Sequence, residues 1–595
     1  MRLMLGNEAL ARGAWEAGVR VVSSYPGTPS TEITEYVSAY DDIYSEWAPN
    51  EKVALEVCAG ASLGGARAMC CMKHVGLNVA ADPLYTMSYT GVSGGVAIVV
   101  ADDPGMHSSQ NEQDSRFHAR ASLTPMLEPS DSQECLDFLM LAIELSERYD
   151  TPVLVRTTTR VSHARSRVIT SDRVDAPLVD YKKDPMKFVM MPAMARARHV
   201  IVEARMERIA TDANDWDINR VEAGDRRIGV IASGAAYNYV KEALPGASVL
   251  KLGLVNPLPL ALIGEFASQV DKLYVIEELE PVIEEQVLAM GLHCAGKALT
   301  GRQGELSVKK IAAIMAAEGF GADIIAPELC GSAAENQSIP MPELPARPPV
   351  LCPGCPHRGA YAVIKKLRLC ATGDIGCYTL GALPPLTALD SCLCMGASVS
   401  MAHGLDKARG AEFAAGTVAV IGDSTFVHSG ITGLVNSVYN RGASTVLILD
   451  NGTTGMTGRQ AHPSTGKNLH GQEAPRLDLE ALCRACGVKH VCVVDPFDME
   501  GLEAALKAAS GRDEVSVVIA RRLCTLLPES RAFRLAPLDV YDSKCLHCHA
   551  CARLGCPAIE SRQGAPYINP ALCIGCGLCK SVCKFDAIGE AGKDA

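Results

Sequence analysis

Short apolar runs alternate with longer amphipathic stretches along most of the chain. The clearest runs lie at residues 96–100, 153–156, 228–232, 273–277, 417–422 and 445–450. Runs of this length are typical of β-strands that are buried on both faces, and the stretches between them are long enough to form helices. Strands that alternate with helices build parallel sheets. The pattern therefore predicts an α/β protein with several domains.

Changes in this pattern divide the chain into six segments. We predict α/β domains at residues 1–170, 226–337 and 350–535, a charged connecting segment at 171–225, a linker at 338–349 and a cysteine-rich tail at 536–595. The linker contains five prolines, so we expect it to be stiff and extended.

Composition narrows the classes of function. Apolar residues make up 48% of the chain and charged residues 21%, which is typical of globular proteins and excludes disorder. The net charge of −12 argues against a nucleic-acid-binding scaffold. No stretch reaches the roughly 18 uncharged apolar residues of a membrane span, and the N-terminus turns polar too early for a signal peptide. We therefore expect a cytoplasmic protein that binds neither nucleic acid nor membranes.

Eight of the 24 cysteines lie between positions 545 and 583. They form two runs, Cys545-x2-Cys548-x2-Cys551-x4-Cys556 and Cys573-x2-Cys576-x2-Cys579-x3-Cys583. In two-cluster ferredoxins the fourth cysteine of each run binds the other cluster. We therefore assign Cys545, Cys548, Cys551 and Cys583 to one [4Fe-4S] cluster, and Cys573, Cys576, Cys579 and Cys556 to a second. The x4 spacing leaves the type of the first cluster open, and a pair of four-cysteine zinc sites is the alternative.

A second candidate site follows two predicted strands of the third α/β domain. Asp423 follows the strand at 417–422, and Asn451 follows the strand at 445–450. Ligands of parallel sheets bind beyond the carboxyl ends of the strands, so these side chains can converge there. With the Thr453 carbonyl they offer the hard oxygen donors that Mg²⁺ prefers. The alternative is an ordinary strand-end aspartate with a turn-forming Asn-Gly.

This spacing resembles the motif that binds thiamine diphosphate, in a degenerate form with Ser424 and Asp450 at two of its positions. Gly422 and Ser424 let the backbone approach the phosphates. Four further stretches resemble the 2-oxoacid:ferredoxin oxidoreductase family, and most of all the large subunits of its indolepyruvate-type members. They are Tyr-Pro-Gly-Thr-Pro-Ser-Thr at 25–31, Cys-Pro-Gly-Cys-Pro-His-Arg at 352–358, Thr-Gly-Asp-Ile-Gly-Cys at 372–377 and Cys-Met-Gly-Ala-Ser-Val-Ser-Met-Ala-His at 394–403.

The resemblance implies a fold and a set of site residues. It implies a pyrimidine-binding domain, a transketolase-C-terminal-like domain, a diphosphate-binding domain and a ferredoxin-like α+β tail. Glu51 would activate the thiamine, with Glu56 as its competitor, and Thr28 would contact the substrate. The implied cofactor-binding residues are Gly422, Asp423, Ser424, Asn451, Thr453, Cys355, His357, Gly376, Cys377 and His403. For His403 a core position is the equal alternative, and for Cys352 and Cys355 the alternatives are packing or a metal site that lacks two ligands.

The resemblance also implies an activity. It is the oxidative decarboxylation of a 2-oxoacid to an acyl-CoA, with thiamine diphosphate, Mg²⁺ and two [4Fe-4S] clusters as cofactors, coenzyme A as co-substrate and ferredoxin as electron acceptor. A small beta subunit, with two copies of each chain, is the implied partner. Two alternatives stay open: a non-oxidative thiamine-dependent decarboxylase or carboligase, and an electron-transfer subunit without thiamine chemistry.

One departure from the family bears on the substrate. The pyruvate enzymes carry an arginine in the segment that corresponds to residues 102–114, and this chain has none there. His107, Ser109, Gln110 and Asn111 could bind a carboxylate by hydrogen bonds instead. This favours a bulkier, aryl 2-oxoacid.

Overall fold

The computed structural model describes residues 1–330 and 348–590 of the chain. These residues belong to two compact units, Met1–Pro342 and Glu343–Ala595. Residues 338–347 of the predicted linker lie outside the described residues. No helix in the described part of the chain is both long and apolar enough to cross a membrane.

The first unit alternates strands and helices as the sequence predicts. Its strands β1 to β13 are, in order, Arg2–Leu5, Val21–Ser24, Tyr44–Trp47, Ala68–Lys73, Val96–Asp102, Met126–Leu127, Val153–Thr158, Arg165–Val168, Arg220–Glu222, Asp225–Ser233, Ala247–Leu252, Leu254–Asn256 and Leu273–Ile276. Its helices α1 to α15 are, in order, Gly6–Glu16, Thr31–Val37, Glu51–Leu63, His74–Val79, Ala81–Thr90, Ser115–Ser122, Ser132–Tyr149, Thr159–His163, Pro185–Phe188, Pro192–Asp212, Gly234–Ala243, Leu260–Ser268, Val282–Ala289, Lys297–Thr300 and Val308–Ala317.

Two sheets form the core of this unit. The larger has the strand order β12-β6-β7-β5-β4-β2-β3, and the smaller has the order β13-β10-β11-β9. Every residue of β4 and β5 is buried, which explains their continuous apolar runs. Strand β12 belongs to the second α/β segment of the sequence, yet it pairs with β6 of the first. The two segments are therefore joined by a shared sheet.

Buried ion pairs lie beside this shared sheet, and one of them, between Arg116 and Glu277, also joins the two segments. Arg156 of β7 donates to Asp102 at 2.7 Å and also contacts Glu128. Arg116 of α6 contacts Asp114 at 2.6 Å and Glu277, which follows β13. All six side chains are almost completely inaccessible to solvent. Each charge is compensated within hydrogen-bond distance, as a buried charge requires.

The second unit contains a fully parallel sheet and the cysteine-rich tail. Its strands β14 to β23 are, in order, Cys370–Gly373, Ser391–Cys392, Thr417–Gly422, Thr445–Asp450, His490–Val494, Ser516–Arg521, Leu538–Val540, Ile559–Arg562, Ala565–Ile568 and Ile588–Glu590. Its helices α16 to α23 are, in order, His357–Leu367, Ala397–Arg409, Ala411–Ala415, Asp423–Thr425, Ile431–Tyr439, Leu479–Ala485, Met499–Ser510 and Leu578–Ser581. The parallel sheet has the order β15-β14-β16-β17-β19-β18, and the tail adds the antiparallel pairs β20-β23 and β21-β22. The predicted α/β fold class, with a small α+β tail, is confirmed.

We expect Arg156→Met to lower the free energy of unfolding of the first unit by about 3–5 kcal/mol, because it leaves buried Asp102 and Glu128 without their cation. Tryptophan fluorescence during urea unfolding measures this, since all three tryptophans, at positions 15, 47 and 216, lie in this unit. Arg227→Met is the matched control, because Arg227 pairs with Asp225 and Asp323 in an exposed position, where ion pairs contribute little. Equal urea midpoints for the two variants would contradict the assignment.

Candidate functional site

Thr28 lies in the loop between β2 and α2, at the carboxyl edge of the seven-stranded sheet. The Ser108 hydroxyl donates to the Thr28 carbonyl at 3.3 Å, and Asn7 donates to the next carbonyl, that of Pro29, at 2.7 Å. The loop is therefore held from two sides, by α1 and by the segment after β5. This position fits the ligand edge of a parallel sheet.

Glu51 is the first residue of α3 and is 4% exposed. Asn50 caps this helix by accepting a hydrogen bond from Val53 at 2.9 Å. A β-carbon on Gly76 would lie 2.7 Å from Glu51 Oε1, so the glutamate side chain packs directly on the backbone of α4. Its competitor Glu56 is exposed and pairs with Lys52. Burial thus favours Glu51 as the candidate for cofactor chemistry.

The polar segment at 102–114 is largely engaged with the protein itself. Asp103 accepts hydrogen bonds from the Ser108 backbone at 2.8 Å, Ser109 at 2.6 Å and Thr159 at 2.7 Å. His107 contacts Glu305 at 2.9 Å. Ser109 and His107 therefore have partners within the chain.

In the second unit, strands β16 and β17 end side by side. Asp423 accepts hydrogen bonds from the Gly452 amide at 2.8 Å and from the Ser424 amide at 2.9 Å. Asn451 Oδ1 accepts a hydrogen bond from the Thr453 amide at 3.2 Å. The structure thus brings Asp423, Ser424, Asn451 and Thr453 together at one edge, as the strand order requires.

His462 is a member of this group that the sequence analysis missed. Its Nε2 lies 3.3 Å from Asp423 Oδ2, and both side chains are buried. Burial alone would raise the pKa of Asp423, but the imidazole holds it below its ordinary value. His462 lies on a loop, 39 positions after Asp423 in the sequence. No local sequence pattern therefore predicts this contact.

The donor set fits a hydrated magnesium ion and a diphosphate. A carboxylate, an amide oxygen and a backbone carbonyl meet at the edge, and these are hard donors. Within residues 1–330 and 348–590, no three His, Cys, Asp or Glu side chains are arranged around a single ion. The candidate magnesium ligands include only one side chain of these four types, that of Asp423. Their other oxygens come from Asn451 and the backbone.

The ring of Tyr378 packs beside the edge where β16 and β17 end. A β-carbon on Gly422 would lie 2.6 Å from its ring, and one on Gly376 would lie 2.3 Å from it, so only glycine fits at either position. His357 meets the same ring edge-on, with 6.0 Å between centroids. Burial lowers the pKa of His357 to about 4, so its imidazole is neutral at neutral pH. Gly376, His357 and Gly422 therefore converge around one ring that the sequence analysis did not single out.

His403 does not reach this edge. Its helix, α17, begins where the amides of Gly396 and Ser398 donate to Asp374, just after β14. The helix then runs back along the sheet, and a β-carbon on Gly442, which precedes β17, would lie 2.7 Å from His403 Nδ1. His403 therefore lies at the amino edge of the sheet, and the structure favours its core interpretation.

The tail gathers its eight cysteines around two cavities. Cys545, Cys548, Cys551 and Cys583 line one small pocket. Cys556, Cys573, Cys576 and Cys579 line another. These are the two sets that the spacing predicts, and their role as cluster ligands stays a prediction. Backbone amides donate to the sulfurs, as Gly575 does to Cys573 at 3.4 Å and Ala587 to Cys583 at 3.4 Å. Such bonds stabilise a sulfur that carries negative charge.

The backbone accommodates the longer x4 spacer between Cys551 and Cys556 with one helical turn and a glycine. Residues Ala552–Leu554 form one turn of 3-10 helix, and Gly555 follows with a φ of +65°. Only glycine adopts this conformation readily. The extra residue is therefore absorbed before Cys556.

A third group of cysteines surrounds Cys355. The thiol of Cys377 interacts electrostatically with those of Cys524 and Cys352, and Cys355 interacts with the same two. Burial raises the pKa of Cys377 to about 11. The Cys524 amide donates to the Asn451 carbonyl at 2.9 Å, so this group adjoins the candidate diphosphate edge. Cys377, which follows β14, and Cys524, which follows β19, thus bring a third and a fourth thiol to the group of Cys352 and Cys355.

Arg358 links this third group to the tail. The buried guanidinium donates to the Leu554 carbonyl at 2.8 Å and to the Cys352 carbonyl at 3.4 Å. Together with Gly354 it lines the cavity of Cys556, Cys573, Cys576 and Cys579. Burial lowers the pKa of Arg358, and the nearby thiols oppose that shift. One loop therefore separates two groups of cysteines.

Comparison with known proteins agrees with this arrangement. Residues 12–223 match the family "Pyruvate flavodoxin/ferredoxin oxidoreductase, thiamine diP-bdg", residues 374–520 match "Thiamine pyrophosphate enzyme, C-terminal TPP binding domain", and residues 566–589 match "4Fe-4S binding domain". The thiamine-binding and iron–sulfur domains expected from the sequence are thereby confirmed.

Three curated relatives are similar over nearly their whole length, and each is named "Indolepyruvate oxidoreductase subunit IorA". The protein from Methanothermobacter thermautotrophicus is 42% identical over 99% of this chain and 97% of its own length. Those from Archaeoglobus fulgidus and Thermococcus kodakarensis are 41% and 40% identical, over 99% and 98% of this chain and 97% and 96% of their own lengths. The chain therefore belongs to the IorA family of indolepyruvate oxidoreductase subunits, within the thiamine-dependent 2-oxoacid:ferredoxin oxidoreductases.

Proposed function

We propose that this chain is the catalytic subunit of an enzyme that converts aryl 2-oxoacids, such as indolepyruvate, to acyl-CoA and passes the electrons to ferredoxin. The observation that carries the proposal is the contact between the oxygen-donor edge at Asn451 and the cysteine group at Cys524. A site for decarboxylation and a route for electrons are therefore adjacent within one compact unit. A 2-oxoacid and coenzyme A give the acyl-CoA, CO₂, one proton and two electrons, which two one-electron ferredoxins accept.

The residues divide by role. Asp423, Asn451 and the Thr453 carbonyl would hold Mg²⁺, while Gly422, Ser424 and Gly376 would leave room for the diphosphate. Thiamine diphosphate, when bound, supplies the electron sink that lets the carboxylate leave as CO₂. Glu51, buried at the start of α3, would hold a proton on the aminopyrimidine ring, and Thr28 would position the substrate. Neutral His357 would line the cofactor pocket without adding charge.

The electron route would use the cysteine groups. The two sets in the tail would hold [4Fe-4S] clusters, and we infer that Cys352, Cys355, Cys377 and Cys524 hold a third. Four cysteines are the usual ligand set of such a cluster.

The partners and substrate class follow from the family. A small beta subunit, with two copies of each chain, and a cytoplasmic ferredoxin complete the proposed enzyme. An aryl substrate is supported by the arginine-free segment at 102–114, where Ser109 and His107 are also engaged by Asp103 and Glu305.

The test of this function is anaerobic dye reduction by the chain co-expressed with its beta subunit. We expect viologen reduction with indolepyruvate that requires coenzyme A and exceeds the rate with pyruvate. Glu51→Gln should lower turnover by at least 100-fold, a typical loss for a proton-transfer group, and leave the iron–sulfur absorbance unchanged. Glu56→Gln is the matched control and should keep full activity. Aldehyde formation without an electron acceptor would instead identify a non-oxidative decarboxylase.

The third cluster predicts an iron count. The parent chain should carry about twelve iron atoms, at about four per cluster, and Cys524→Ala should lose about a third of them. Cys492→Ala, in an exposed position of the same unit, should lose none. Metal analysis of the anaerobically purified enzyme measures both. A full iron content in the Cys524 variant would refute the third cluster and leave the tail clusters untouched, and zinc in place of iron would refute the electron route.

A further inference from the structure

Lys73 is an isolated cation at the ligand edge of the first unit. It is the last residue of β4, and the five residues before it are buried. The side chain is itself 7% exposed. Its Nζ donates to the backbone carbonyl of Ser108 at 2.8 Å. Among the residues that the structure describes, no carboxylate oxygen lies within ion-pair distance of this ammonium.

Lys73 lies next to the segments that carry both residues assigned to catalysis in this unit, Thr28 and Glu51. A β-carbon on Gly27 would lie 3.1 Å from the β-carbon of Lys73, so the lysine stem runs along the loop that carries Thr28. Ser108, which accepts from the ammonium, also donates to the Thr28 carbonyl. Three residues after Lys73, Gly76 packs on Glu51. Lys73 therefore lies between the loop of Thr28 and the first turn of α4, which packs on Glu51.

The charge of Lys73 is poorly compensated. Burial lowers its pKa to about 8, and the carboxylate of Asp103 only partly opposes that shift. Asp103 is already committed to three hydrogen bonds. Burial lowers the pKa of the neighbouring His74 as well, so its imidazole neither adds a second positive charge nor offers a negative one. An ammonium has three donors, and only one of them has a partner among the residues that the structure describes. A carboxylate is the ligand that would satisfy the others.

We propose that Lys73 binds the carboxylate of the 2-oxoacid. The inference rests on the proposed function, in which Thr28 contacts the same substrate. It also explains how a chain without arginine at 102–114 can hold an anionic substrate, because the cation comes from the neighbouring strand, β4, instead.

Binding of the substrate carboxylate by Lys73 predicts an effect on KM rather than on kcat. The carboxylate is negative in the bound substrate and leaves as neutral CO₂, so the contact with Lys73 is strongest before the carbon–carbon bond breaks. An interaction that favours the bound substrate lowers KM without raising kcat. A lysine that merely supported the Ser108 loop would instead change kcat through the position of Thr28.

The experiment measures kcat and KM for indolepyruvate in the anaerobic dye assay, using the holoenzyme with its beta subunit. We expect Lys73→Met to raise KM at least tenfold with kcat within twofold of the parent. Lys73→Arg should restore KM to within threefold, because it keeps the charge. Lys52→Met is the control, since Lys52 pairs with Glu56 on the surface of α3 and should leave both constants unchanged.

A pH profile gives an independent readout that does not need the methionine variant to fold. The ammonium is charged below pH 8 and loses its charge as the pH rises, so kcat/KM of the parent should fall about tenfold per pH unit above pH 8. In Lys73→Arg this fall should vanish, because arginine stays charged.

Three results would overturn the proposal. They are an unchanged KM in Lys73→Met, a loss confined to kcat, or a fall above pH 8 that persists in Lys73→Arg. The same measurements distinguish a failure of the proposed function from a failure of the role of Lys73. If the parent enzyme turns over no 2-oxoacid, the proposed function fails together with this one. If the parent is active and the Lys73 variants behave like it, only the role of Lys73 fails.

Discussion

The direction of the strands is the constraint on which both candidate sites depend. In each unit the central strands run parallel, so all of them end at one edge. Apolar side chains fill most of the central strands, and the candidate site residues lie where these strands stop. This places Thr28 and Lys73 at one edge in the first unit, and Asp423 and Asn451 at one edge in the second. Residues far apart in the sequence become neighbours because their strands are neighbours.

Charge compensation differs among the buried cations of these units. Arg116 and Arg156 are fully buried, yet their carboxylate partners raise the pKa of both guanidinium groups above the ordinary value. Lys73 is also buried, but its pKa falls to about 8 because its partners do not offset the loss of water. A buried ion that the fold compensates poorly marks a place where a ligand of opposite charge adds stability. The same fold thus uses buried cations in two ways.

The sequence alone predicts what depends on local order. Strands β16 and β17 have the predicted bounds because each is a continuous apolar run that ends at a polar residue. The two cysteine sets of the tail follow from short spacings that leave little conformational freedom. Cys524 and His462 could not be assigned, because their partners come from other strands and loops. Cys377 was assigned to the cofactor from its motif, and its neighbours Cys352 and Cys524 could not be predicted for the same reason. His403 was expected near the diphosphate on motif position alone, and the direction of α17 carries it to the opposite edge. Strand β12, of three residues, is too short to show a pattern, although it joins two segments of the chain.

The loop of Cys352 to Arg358 connects the chemistry of the second unit. On one side its thiols meet Cys377 and Cys524, next to the edge of Asn451. On the other side Gly354, with a φ of +69°, lets the backbone lie so close to the tail that a β-carbon there would be 2.1 Å from Ile574. Arg358 closes the contact by donating to the Leu554 carbonyl. Reduction adds negative charge to an iron–sulfur centre. If both cysteine groups hold clusters as proposed, the buried guanidinium between them would stabilise the electron on either side. Close backbone packing and one shared cation would then suit this loop to carry electrons from the candidate diphosphate edge to the tail.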